Sequence, residues 1–275
     1  MASIPKKVLD RFNSQVGRFQ KILQAAKDRD INEADTVLIV TDIIADLFGF
    51  EKYIEITSEF AIRSTYCDLA IRTDGAVKYL VEVKAIGLAL KDPHLRQALD
   101  YGANHGIEWI VLTNGIRWQI HKILFEKPIA SEAVCTFDLL ALSPRKKEDQ
   151  ETLFLLCKEG LNKAAIEEFH EHRQIVNRFI LASILLSSPV LEVARREMKR
   201  LSPGIPVDLA EIESILKNDV LKREVQDCEE AARATSLIRR AATRALRKRQ
   251  EKMTTPLTDI SIAENASEVF QDSEP

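Results

Sequence analysis

The sequence predicts an α/β domain with a mixed sheet flanked by helices in its first half, followed by an all-helical region. Three observations carry that expectation. Short β-type segments with turn signals occupy residues 53 to 123, a helix opened by Pro93 interrupts them, and strand signals stop beyond Asp138. The chain has 275 residues, 45% hydrophobic and 29% charged, which is enough to bury a core. The longest apolar stretch, Phe179 to Leu186, is broken by Ser183 and is far too short to cross a bilayer, so no membrane partner is expected.

Val8, Phe12, Val16, Phe19, Leu23 and Ala26 recur at spacings of three and four, which predicts an amphipathic packing helix over 5–28. Asn32 is the N-cap of a second helix with Glu33 and Asp35 in its first turn, where the helix dipole favours acids, and Gly49 closes it. Strands follow over 53–62, 66–72 and 77–85, with Thr73-Asp74-Gly75 as the turn between the last two. Pro93 opens a helix through Leu95 and Leu99 to about Ala103. Strands over 108–113 and 116–123 flank Asn114-Gly115, and Trp109 and Trp118 beside that turn read as packing residues.

Ser143 to Lys147 reads as a connector, giving three regions: 1–146 α/β, 147–252 helical, and 253–275 an acidic tail without periodicity, expected to be disordered. Helices are predicted over 148–159, 162–186, 189–200, 207–216 and 219–251, with Phe179, Ile180, Ile184, Leu185 and Leu186 as core of the second region. The net charge of −3 hides a polarity. Arg233 to Lys252 holds eight basic residues against Glu251, and Thr254 to Pro275 holds five acids and no base. The basic run suits a nucleic-acid backbone or an acidic partner, and Leu237, Ile238, Ala241, Ala242, Ala245 and Leu246 give it an apolar stripe suited to self-association.

Cys67, Cys135, Cys157 and Cys228 are scattered with no C-x-x-C pair, so neither a zinc site nor a disulfide framework is suggested, and a reducing, cytoplasmic setting is expected. His170-Glu171-His172 has the wrong spacing for the helical zinc motif and reads as a solvated helix surface.

In Val81-Glu82-Val83-Lys84, residues two apart share a strand face, so Glu82 and Lys84 are displayed together while Val81 and Val83 enter the core. Asp68, on the preceding strand, joins them only in one register. A two-residue turn at 74–75 sets Asp68 opposite Val81, on the wrong face, whereas a three-residue loop of 74–76 sets it opposite Glu82, and the second is expected. Asp68 and Glu82 then offer hard oxygen ligands to Mg²⁺ or Mn²⁺, with the Val83 carbonyl as a further ligand. The ion would polarise a scissile phosphate and activate a water, and Lys84 would position that water and offset transition-state charge. A Glu-x-Lys triplet alone is usually just surface charge. Its company here gives it meaning.

The order Glu33, Glu59, Arg63, Asp68, Glu82-Val83-Lys84, then Gln97-Ala98-Leu99-Asp100-Tyr101, together with Trp109 to Gly115, resembles the N-terminal nuclease domain of type I restriction enzyme motor subunits over roughly residues 30–140. It is similar more widely to the PD-(D/E)xK nucleases, with Cys67 standing where the proline would be, a position without chemistry. The resemblance implies a restriction-endonuclease-like sheet with Asp68, Glu82 and Lys84 catalytic, Glu33 holding a water on the metal, and Gln97 in the active site. Gln97 and Tyr101 share a helix face where an amide and a phenol suit the active site or a phosphate. Arg63 is a further phosphate candidate, although an arginine or an acid such as Glu59 at a strand is more often solvated or paired.

The expected function is Mg²⁺-dependent hydrolysis of DNA phosphodiester bonds, with defence against foreign DNA implied by analogy. The alternative is a catalytically silent nucleic-acid-binding or adaptor protein on the same fold. The chain has no G-x-x-x-x-G-K-S/T phosphate loop, so any ATP-driven motor or targeting function belongs to a separate protein. Cutting both strands calls for a second active site, which a homodimer through the helical region would supply.

Overall fold

The computed structural model describes residues 3–62 and 65–254. The Arg63 expectation and most of the tail, 255–275, lie outside the described residues, as does the Glu59 side chain. The chain forms two compact units, Met1–Gln174 and Ile175–Pro275.

The first unit opens with α1 (Lys6–Asp28), whose six periodic apolar side chains are all buried, the larger ones each contributing about 1.5–3 kcal/mol. α2 (Glu33–Asp42) starts as predicted. The Asn32 side chain accepts from the Asp35 N–H at 2.9 Å, and a π turn over Ile43–Leu47 carries the chain to Gly49, whose φ of +86° suits glycine. Three strands follow, β1 (Ile56–Ile62), β2 (Thr65–Thr73) and β3 (Ala76–Val83), then α3 (Asp92–His105), β4 (Trp109–Thr113), β5 (Arg117–Leu124) and β6 (Ala130–Asp138). The last was not foreseen as a strand. It completes one mixed six-stranded sheet in the order β1-β2-β3-β4-β5-β6, antiparallel except for β3 and β4, which run parallel with α3 as their crossover.

One sheet face packs on α1, α2 and the π turn through Leu69, Ile71, Tyr79, Val81, Val83, Trp109 and Trp118. The other lies under α3, where Tyr101 meets Cys67, Ala70 and Leu80 while Leu95 and Ala98 meet Ile110, Leu112 and Ile123. β4, Trp-Ile-Val-Leu-Thr, is buried throughout, as a parallel strand covered on both faces should be. Both tryptophans are core residues, Trp118 meeting Phe48 edge-on at 5.3 Å.

The boundary expected near 147 falls at 174 instead. α4 (Lys147–Phe154), α5 (Lys158–Leu161) and α6 (Ala165–Ile175) belong with the sheet because Leu153, Phe154, Leu155, Leu156, Cys157, Ala165 and Ile166 complete its core. Arg11 fixes this assembly. Its guanidinium grips Glu159 at 2.8 and 3.2 Å and donates to the carbonyls of Leu47 and Phe48, so one side chain ties α1, the π turn and α5. Burial opposes the Glu159 charge, but Arg11 and Lys7 outweigh it and pull the carboxyl down to about 2.

The second unit holds α7 (Arg178–Leu185), α8 (Ser188–Leu201), α9 (Leu209–Ile215) with a π turn over Leu216–Val220, and α10 (Glu229–Thr254). The predicted 162–186 helix is broken. Asn177 caps a new one, its side chain accepting from Phe179 and Ile180 N–H at 3.0 Å each. α10 starts later than the expected 219, because the main chain turns extended at Leu221. Of the expected core, Ile180 is buried, but Ile184 is 39% exposed.

The register that matters lies between β2 and β3. The turn is two residues long, Asp74 (φ +53°) and Gly75 (φ +77°), between the pair Thr73↔Ala76, so the three-residue loop was wrong. Lys78 is an extra residue: Arg72 pairs with Val77 but Ile71 pairs with Tyr79, and the bulge shifts the ladder by one to Leu69↔Val81. The next step sets Asp68 level with Glu82, the same outcome by a different device. The bulge also explains why Val77 packs on the α3 side while Tyr79 packs on the other.

Deleting Lys78 removes the bulge and leaves every pair from Ile71↔Tyr79 onward intact. We expect the deletion variant to fold with stability within about 1 kcal/mol of the parent, measured by urea titration. Loss of the folded state would show that the bulge does more than set register.

Candidate active site

The site sits where β3 ends on the α3 side of the sheet. Main-chain pairing of β2 with β3 is replaced there by a side chain: the Val83 N–H donates to Asp68 Oδ2 at 2.7 Å, so the carboxylate is held by the backbone it faces. Glu82, 4% exposed, lies beside it, and Lys84 Nζ contacts Glu82 Oε1 at 2.9 Å and Glu33 Oε1 at 3.3 Å. Three acids and one ammonium thus converge from two strands and the start of α2.

Two neighbours hold the loop after Lys84. The Lys84 N–H donates to the Thr113 carbonyl at 2.8 Å, and the buried Asn114 amide donates to the carbonyls of Ile86 and Leu88 at 3.1 and 3.0 Å. Gly87 lies so close to Asp30, between α1 and α2, that a Cβ would collide with its Oδ1. This close approach brings the Glu33 helix start to Lys84.

The expected residues come together unequally. Asp68, Glu82, Lys84 and Glu33 form the cluster, and Val83 contributes its N–H to Asp68. Gln97 is exposed on α3, on the flank it shares with Tyr101, toward β2 and β3. The Tyr101 ring is 2% exposed, packed on Cys67, Ala70 and Leu80 and stacked on His105 at 4.8 Å. Sequence reading missed the Asn114 brace, taking the residue only as a turn former; the polar pair Thr113-Asn114 closing the apolar run Trp109 to Leu112 was the available signal. It also missed Cys67, whose buried thiol donates to the Val81 carbonyl at 3.3 Å and touches Glu82 Oε2 at 3.9 Å.

Burial, then repulsion from Asp68, pushes Glu82 up from an ordinary 4.5 to about 7, against the pull of Lys84. Burial also raises Asp68, with the Val83 N–H and Lys84 opposing it. Lys84 is lowered by burial but raised more by Glu82, Asp68 and Glu33, so it stays an ammonium. The carboxylates therefore lack positive charge even with Lys84 present, and a hard divalent cation would supply it. No group of three His, Cys, Asp or Glu among the described residues is arranged to hold a metal; the pair of neighbouring carboxylates here is Asp68 and Glu82.

A cavity of about 780 Å³ lies elsewhere, in the helical unit beside Leu186, Pro189, Val225 and Ile238. His170, expected on a solvated helix surface, is half-buried and meets Glu132 at 3.2 Å, whereas Glu171 and His172 are exposed. The cysteines are free. No helix among the described residues is long and apolar enough to cross a membrane. No protein-family model, curated protein or solved structure matches the chain.

Because the folded Glu82 holds its proton up to about 7, the native state binds more protons than the unfolded one between 4.5 and 7. Stability from this group is complete below 4.5 and is lost as pH rises through 7. In chelator, Glu82→Gln is expected to be more stable than wild type at pH 8, by roughly 3 kcal/mol, with the gain gone near pH 4.5. Thermal melts at the two pH values check this, and a variant less stable at pH 8 contradicts it.

Proposed function

We propose that the first unit is a metal-dependent nuclease of the PD-(D/E)xK type that hydrolyses DNA phosphodiester bonds. The observation that carries the reading is the meeting of Asp68, Glu82 and Lys84 at one strand end, with Asp68 held by the Val83 N–H. The order of elements supports it: a helix, a three-stranded meander, a crossover helix and a parallel strand.

Asp68, Glu82 and the Val83 carbonyl would hold Mg²⁺ or Mn²⁺, which supplies Lewis acidity toward the phosphate and the charge that the two carboxylates lack. The protein's own groups do the rest. Lys84, kept protonated by its acidic neighbours, acts as a donor rather than a base; it orients the attacking water and offsets charge building on the phosphoryl oxygens. Glu33 is a positioning residue, since its carboxylate draws Lys84 Nζ toward the start of α2 and limits the rotamers of a long, flexible side chain. Gln97, exposed on α3, would meet the substrate strand.

The purified chain is expected to cleave linear, circular or single-stranded DNA with Mg²⁺ or Mn²⁺. Asp68→Ala and Lys84→Ala should each lose at least about 100-fold in rate, and chelator should abolish cleavage. A folded Lys84→Ala protein that cuts like wild type would remove the mechanism, and one that keeps its full biological role without cutting would favour the adaptor reading.

A further inference from the structure

We infer that the outward face of α10 is a second binding surface, a row of arginines that holds the phosphate backbone of duplex DNA independently of the Asp68 centre. The inference rests on the reading of the chain as acting on DNA. α10 packs on α7 through Ala231 and Ala234, both buried, and Ile238, half-buried, and the Thr235 and Ser183 hydroxyls meet at 3.3 Å. These residues define the covered face. At about 100° per residue, Arg233, Arg240, Arg244 and Arg247 fall on the opposite face, and all four are exposed. Arg233 is engaged by Glu229 at 3.0 Å, whereas Arg240, Arg244 and Arg247 make no ion pair among the described residues.

The last three stand about 6 and 4.5 Å apart along the axis, a short row on a straight rod. Duplex DNA presents one negative charge per roughly 1.7 Å of its own axis, so such a row meets phosphates without a particular sequence. Residues 239–252 carry seven basic side chains and one acid in a chain whose net charge is −3, so this segment attracts a polyanion against the charge of the whole. Ser236 lies beside the arginines, adding a hydroxyl to the guanidinium groups as in phosphate contacts, whereas the Thr243 hydroxyl donates to the Arg239 carbonyl at 2.9 Å. Leu237, 57% exposed, is the large apolar residue of that face, too little for the apolar centre of a protein interface. α10 has no aromatic residue on which unpaired bases could stack, which favours a duplex over a single strand.

The test is binding of a labelled random-sequence DNA duplex, read by fluorescence anisotropy across a salt series in chelator. The full chain carries Asp68→Ala so that cleavage plays no part. Replacing Arg240, Arg244 and Arg247 together by Gln, which preserves helix propensity, should weaken binding at least about tenfold and lower the salt slope by about 2 to 3; the matching Lys replacements should restore both. Circular dichroism checks that the helix persists. The inference is overturned by failure of the parent to bind duplex DNA, by an unchanged slope in the Gln variant, or by polyglutamate, single-stranded DNA or duplex RNA competing better than unlabelled duplex DNA. A protein that binds through these arginines but never cuts removes the nuclease reading and leaves this surface standing, and an active nuclease indifferent to them does the reverse.

Discussion

The Val83 N–H needs an acceptor where the β2–β3 ladder runs out, and the Asp68 carboxylate supplies it at 2.7 Å. That bond fixes one acid of the site to the backbone beside the other, so the geometry of the pair is set by the sheet and not by flexible side chains. It exists only because the register is right. A two-residue turn with both φ values positive would set Asp68 against Val81, and the extra residue at Lys78 corrects the slip before the strands reach the site. α3 then covers the same face, with Tyr101 seated on Cys67 and Leu80 beneath the cluster.

Charge gives the cluster its character. Two partly or wholly buried carboxylates side by side, a third at the start of α2 and one ammonium between them form a site in which protons are held more tightly than usual. A fold selected for stability alone would gain by replacing such a pair with apolar groups. The helix start that carries Glu33 is placed from the far side of the sheet, because α1 and the π turn are clamped by Arg11 and Glu159 and the loop after Lys84 runs against Asp30 through Gly87. α5 therefore braces the half that carries the acidic cluster.

Much of this was legible in the amino-acid order. The six apolar positions of α1, the Asn32 cap, the Pro93 start of α3 and the Glu82/Lys84 face follow from local periodicity and turn chemistry, which depend on near neighbours. The device that sets the register was not legible, since Lys78 looks like any exposed strand residue and a bulge is decided by what both strands pack against. The burial of Tyr101 was not legible, because spacing places it on a helix face but does not say how deep that face lies. The boundary at 174 escaped for a related reason: an all-helical segment gives no sign of whether its apolar stripe, here Leu153 to Cys157 and Ile166, packs on its own kind or on a sheet.

Cation binding at the Asp68/Glu82 pair is the claim on which the mechanism turns, and it can be measured apart from activity. Isothermal titration of Mn²⁺ into the full chain near pH 8, without nucleic acid, should show a bound ion in wild type and its loss in Asp68→Ala, with proton release growing as pH is lowered toward 7 because Glu82 must give up its proton to bind. Equal binding by Asp68→Ala, or none by the folded wild type, would contradict the account.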